Sequence, residues 1–208
     1  MANGAGKTGI GARRMADLTR AFVVAGLLAL TGCASSTPDA LYGLTTPTGE
    51  QLRGRTTSRQ VLVPEPRALQ SLDTSSIAVV DAGPVYTYFP KAAWTDTLPK
   101  VVQAKLVQAL ENTGGLRGVG LPGEGLLIDY QLQTDLRAFE LRIDGAERAV
   151  VEVMARLVND RNGRTRASRV FRAEVPASGT DVRKAVEAMN VAADRVVREM
   201  TAWVLTKV

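Results

Sequence analysis

One thiol is the residue best placed for covalent chemistry in this chain. Cys33 is the single cysteine among 208 residues, and there is no histidine. A lone cysteine excludes an internal disulfide. The absence of histidine removes the commonest metal ligand and the commonest general base at neutral pH. Leu30-Thr31-Gly32 precede the thiol, after the apolar run AFVVAGLLAL at 21–30. Small residues at that spot let the backbone pass into a protease site. The alternative is a buried core cysteine behind a hydrophobic helix.

Carboxylates are the other candidates. Asp129, Asp135 and Glu140 lie close together in sequence and could in principle form an acid/base pair. Asp129 and Asp135 fall on the polar side of an alternating segment, which favours a solvated face. There is no HExxH, CxxC or GxGxxG motif, and the glycines at 114–125 lack the Lys-Ser/Thr of a phosphate loop. The expectation is a non-enzyme without cofactor or metal.

The apolar run is too short to cross a bilayer, which needs about 20 residues. It suits a signal peptide with Arg13, Arg14 and Arg20 as its positive flank. The segment ending at Cys33 is similar to the lipobox of bacterial lipoproteins. That resemblance implies that Cys33 takes a diacylglycerol and becomes the N-terminus after cleavage. Several acyl chains on one residue hold stably, at about 0.8 kcal/mol per buried CH2. Ala34, rather than Asp, implies sorting to the outer membrane. Met15 is an alternative start, and Arg13-Arg14 resembles a twin-arginine signal only loosely.

Charge excludes a nucleic-acid partner. The formal net charge is +5, but residues 1–32 hold Lys7, Arg13, Arg14 and Arg20 against Asp17 alone. The remainder keeps 22 basic and 20 acidic residues, a near balance without an electrostatic footprint.

Residues 33–58 are rich in Ser, Thr, Pro and Gly and read as a flexible tether, with a short strand at 41–45. One domain is expected over 59–208. Val61-Leu62-Val63, stopped by Pro64 and Pro66, predicts an edge strand. Ile77–Val80 predicts a central strand. Tyr86, Tyr88, Phe89 and Trp94 follow. They form either a loop closing the core or an exposed patch that docks a partner or a lipid chain.

Leu98, Val102, Leu106, Ala109 and Leu110 predict a helix begun near Pro99 and stopped by Gly114-Gly115. A short strand at 116–120 precedes the alternation at 127–137, where Ile128, Tyr130, Leu132, Thr134 and Leu136 share one side. Strands at 149–158 and 169–175 flank the turn Asp160-Arg161-Asn162-Gly163. A long helix starts at about Thr180, capped by Thr180 or Ser178 with Asp181 in its first turn. The fold class is α+β: an α/β sandwich whose mixed, mainly antiparallel sheet packs against two helices, one long and C-terminal.

The whole pattern resembles the ABC-type transport auxiliary lipoproteins, a family that includes the paraquat-inducible protein C group. The lipobox with Tyr42-Gly43-Leu44 carries the match first. The run from Ile77 through Tyr88 to Trp94-Thr-Asp-Thr-Leu-Pro99 follows. Then come Asp129 to Phe139 and the helix holding Ala188-Met189-Asn190 and Trp203. The resemblance implies an accessory of Mce-type lipid transport, docking the substrate-binding subunit at the periplasmic side of the outer membrane. Tyr86, Tyr88, Phe89 and Trp94 are its candidate contact surface, and a homo-oligomer stays open. Two alternatives stand beside it: an envelope lipoprotein that scaffolds or activates a cell-wall or secretion machine, and a hydrolase using carboxylates.

Overall fold

The computed structural model describes residues 37–45, 56–83 and 85–208. The signal segment and Cys33 lie outside these. Strand β1 spans Ala40–Tyr42, β2 Gln60–Leu62, β3 Arg67–Ala68, β4 Ser76–Val80 and β5 Tyr86–Trp94. Helix α1 (Leu98–Glu111) leads to β6 (Gly118–Gly120), β7 (Tyr130–Arg142), β8 (Arg148–Asn159), β9 (Thr165–Pro176) and helix α2 (Val182–Lys207). The sheet is mixed, and its long ladders, β7–β8 and β8–β9, are antiparallel. The expected α+β class is what forms.

Strand β7 organises the sheet. One edge pairs with β8 along its length. The other edge carries three short parallel strands in succession: Leu62 beside Gln131, Ala68 beside Leu136, Val80 beside Arg142. Pro64 and Pro66 have no N–H to give a ladder, so pairing breaks between the first two of these strands. Strand β2 is not the edge strand its prolines suggest. It lies between β6 and β7, with Val61 fully buried. The prolines follow the strand rather than interrupt it, and Val63 N–H still reaches the Gly120 carbonyl at 2.9 Å.

A register shift between Leu136 and Ala138 decides which face each later residue takes. Leu132, Thr134 and Leu136 point to the core, and beyond the shift Phe139 and Leu141 rejoin them. Strand β7 begins at Tyr130, so Ile128 precedes it. The β8–β9 turn forms where Asn162-Gly163 stands, with Gly163 at φ 68°.

Both helices cover one face. Pro99 sits in the first turn of α1, which buries Leu98, Val101, Val102, Leu106 and Leu110. Asp181 itself caps α2, accepting from the backbone N–H of Arg183 and Lys184. Thr180 and Ser178 do not; a carboxylate at the cap also faces the positive end of the helix dipole. The stripe from Ala185 to Val204 is buried. Few aromatics serve this core: Trp94 meets Phe139, and Phe171 meets Trp203, each edge-on at 5.6 Å.

The compact unit runs from Pro38 to Val208. Strand β1 belongs to it, pairing in parallel with β5. The short strand expected at 41–45 stands at Ala40–Tyr42, as part of this folded body.

Candidate functional site

The four aromatic candidates sit on or at the end of β5, which is a nine-residue strand rather than a loop. They do not share one surface. Trp94 is 1% exposed and packs on Phe139, so it is a core residue and not a contact residue. Its neighbour in register is Tyr42, which also packs on the core. Phe89 is partly buried against the same core. Tyr86 and Tyr88, beside Val80 and Ala78, stand on the opposite face, where Tyr86 too is partly buried against the core. The Tyr86 hydroxyl donates to Glu140 Oε2 at 3.2 Å, and burial, then the Glu140 charge, raise its pKa. The exposed Tyr88 hydroxyl donates to the Ser71 carbonyl at 3.1 Å. Sequence spacing groups the four; the strand pleat and the β5 irregularity near Lys91 separate them.

The three carboxylates do not assemble. Each is held by its own cations at a different level of the sheet. Asp129 accepts from Gln60 N–H and from Arg59, both at 3.1 Å, with Arg161 at 3.7 Å. The backbone hydrogen bond, then Arg59, keep its pKa below the usual carboxylate range. Asp135 accepts from Arg67 at 2.6 Å and Arg156 at 3.4 Å. Glu140 is fully buried between Tyr86 and Arg142, the latter at 3.0 Å. Asp129 and Asp135 are six residues apart along extended chain, about 20 Å. No acid/base pair spans that distance.

The face away from the helices carries a ladder of ion pairs. Glu152 bridges Arg137 (3.8 Å) and Arg172 (2.6 Å). Arg172 continues to Glu174 (2.6 Å), which reaches Arg148 (3.3 Å) and so Asp144 (2.9 Å). Exposed pairs contribute about 0–1 kcal/mol each, so the ladder mainly fixes surface side chains.

Two concavities frame the domain. Between the helices and the sheet lies an apolar cavity of about 10 Å3, lined by Leu44, Val102, Phe139, Val153, Val197 and Met200. That is room for about one water-sized sphere. At the end of β7 where Tyr130 starts lies an open cleft of about 600 Å3. Arg59, Arg117 and Arg161 line it together with Asp129, Asp160 and Leu127, the last 87% exposed. Sequence reading missed this cleft, because its walls come from segments near 59, 117, 127 and 161 that only the sheet brings together. Among the described residues, no three His, Cys, Asp or Glu side chains converge as a metal site.

The fold defines a two-layer α+β domain with one helix-covered and one polar sheet face. Residues 42–201 match the family of ABC-type transport auxiliary lipoprotein components, and the chain belongs to that family. An uncharacterized protein of Bradyrhizobium diazoefficiens is 30% identical over 188 residues, which covers 89% of this chain and 50% of that protein. The chain thus spans about half the length of that curated relative. The crystal structure of protein XCC0632 from Xanthomonas campestris is similar at 26% identity and TM-score 0.74, covering 81% of this chain and 96% of that one. The hypothetical protein CT253 from Chlamydia trachomatis, at 10% identity and TM-score 0.51 over 73% and 98% of the two chains, shares the fold alone.

Proposed function

We propose that this chain is a lipid-anchored auxiliary of an Mce-type ABC lipid transport system. Acylated Cys33 would hold it on the periplasmic side of the outer membrane, after removal of residues 1–32. Its domain, from β1 to α2, would dock the substrate-binding subunit that reaches across from the inner membrane. The family match over residues 42–201 carries this reading. The small interior cavity favours docking over lipid carriage: about 10 Å3 holds no acyl chain. The arginine-lined cleft with exposed Leu127 offers a surface for a protein partner.

The test is co-purification of the acylated chain with the Mce-type protein of the same organism. Retention of the pair through detergent extraction supports the reading. A purified, acylated chain that shows no affinity for that Mce protein at micromolar concentration overturns it.

A further inference from the structure

Chain length limits how far the folded body can stand from its anchor. Cys33 precedes Ala40 by seven residues. Fully extended, they span about 25 Å at most. The attachment point cannot slide. Asp39 N–H donates to the Lys91 carbonyl at 2.7 Å, and Thr95 N–H donates to the Tyr42 carbonyl at 2.9 Å. Just after β1, Thr45 is clamped: Asn190 Oδ1 accepts from its N–H at 2.8 Å, and the buried Lys105 ammonium donates to its carbonyl. Because β1 runs parallel to β5, the chain reaches Ala40 from the Tyr88 end of that strand.

Two large apolar side chains stand exposed at this edge, beside the exposed Thr87, Lys91 and Asp39. Leu41 is 61% exposed and Val85 53%. Leu41 alternates away from the core-packed Tyr42, so it lies on the sheet face opposite the helices. Tyr88 stands on that same face beside β4. Lys91, the one non-glycine residue with positive φ among the described residues, turns its ammonium toward Asp39 at 3.6 Å. That pair leaves the edge without net charge from these two groups. Aliphatic side chains with a tyrosine and a flexible lysine suit the boundary between acyl chains and headgroups.

We infer that the β1–β5 edge, through Leu41, Val85 and Tyr88, rests on the bilayer that holds the lipid anchor. This rests on the acylation of Cys33 proposed above. The arginine-lined cleft then points away from the membrane. The sheet order β1-β5-β4-β7-β2-β6 places Arg59, Gln60 and Arg117 of the cleft on or beside β2 and β6, on the side of the sheet opposite β1. Four strand spacings separate β1 from β2, about 19 Å.

Bromolipid quenching tests this. The full chain, purified in its processed form, carries L41W, Y88W or L127W, each checked for native circular dichroism. Each is reconstituted in phosphatidylcholine vesicles with brominated acyl chains, and mass spectrometry of the same sample reads the mass of Cys33. The emission gained over wild type should fall about twofold or more for L41W and Y88W, and remain for L127W. The loss should persist at 0.5 M salt, since the contact is apolar. An acylated Cys33 with no quenching at positions 41 and 88, or with equal quenching at 127, overturns the inference and leaves the docking reading intact. An unmodified Cys33 overturns both.

Discussion

Lys105 of α1 and Asp194 of α2 form an ion pair inside the fold, with the lysine side chain 1% exposed and the aspartate 26%. The same ammonium donates to the Thr45 carbonyl, so one cation joins both helices to the segment after β1. The partners are not equivalent. D194A leaves a buried ammonium without its counter-charge and should destabilise by about 3 kcal/mol. K105M keeps the volume, and Asp194 can turn to water; it should lose roughly 1 kcal/mol. Urea unfolding measures both, and equal losses would contradict the asymmetry.

Trp94 and Tyr88 separate core from surface on one strand. W94A removes the ring packed on Phe139 and should lower stability by about 3–5 kcal/mol. Y88A removes an exposed ring with one hydrogen bond and should stay within about 1 kcal/mol. Thermal unfolding of the two variants checks the order.

Asp129 ties the Arg59–Gln60 segment to the start of β7. Its folded pKa is depressed, first by the Gln60 backbone hydrogen bond. The carboxylate therefore stabilises the fold above the unfolded pKa, and the contribution is lost as pH falls through the folded one. D129N should be about 1 kcal/mol less stable at pH 7. The difference should shrink below the ordinary carboxylate range. Parallel urea titrations at pH 7 and pH 3 measure it, and a constant gap would refute this account.

Tyr86 titrates in the other direction. Burial and the nearby Glu140 charge raise its pKa, so its proton is held more tightly in the folded state. The stabilisation is complete below the ordinary tyrosine pKa and fades as pH rises through the raised value. Ultraviolet titration should show one phenol ionising late, and Y86F should remove that phase.

Conversion of Arg161 to Glu at the cleft rim tests docking without disturbing the core. Arg161 is 79% exposed and lies 3.7 Å from Asp129, so R161E should cost no more than about 1 kcal/mol. It should weaken capture of the Mce-type partner severalfold in the co-purification assay. Unchanged capture would move the docking surface elsewhere.

Local pattern made much of this protein legible. The alternation at Leu132, Thr134 and Leu136 reads directly as a half-covered strand, because each pleat fixes its own side chain. The stripe from Ala185 to Val204 reads as a helix for the same local reason, at a different period. The hairpin at Asn162-Gly163 follows from glycine's tolerance of positive φ. Asp181, rather than Thr180 or Ser178, caps α2; all three are competent acceptors, so residue type alone does not choose among them.

The sequence alone determined the two helices, the long strands β7 to β9, the α+β class and the family resemblance, which depend on neighbours a few residues apart. Tertiary structure decided what depends on distant pairing. Strand β2 became interior because β6 and β7 close on both of its edges. Trp94 turned inward because the irregular stretch of β5 resets its phase against Tyr88. Lys105 found Asp194 across 89 residues, and four separate segments built the cleft. A pleat or a helical turn is written in adjacent residues; which strands become neighbours is settled only when the whole sheet closes on its core.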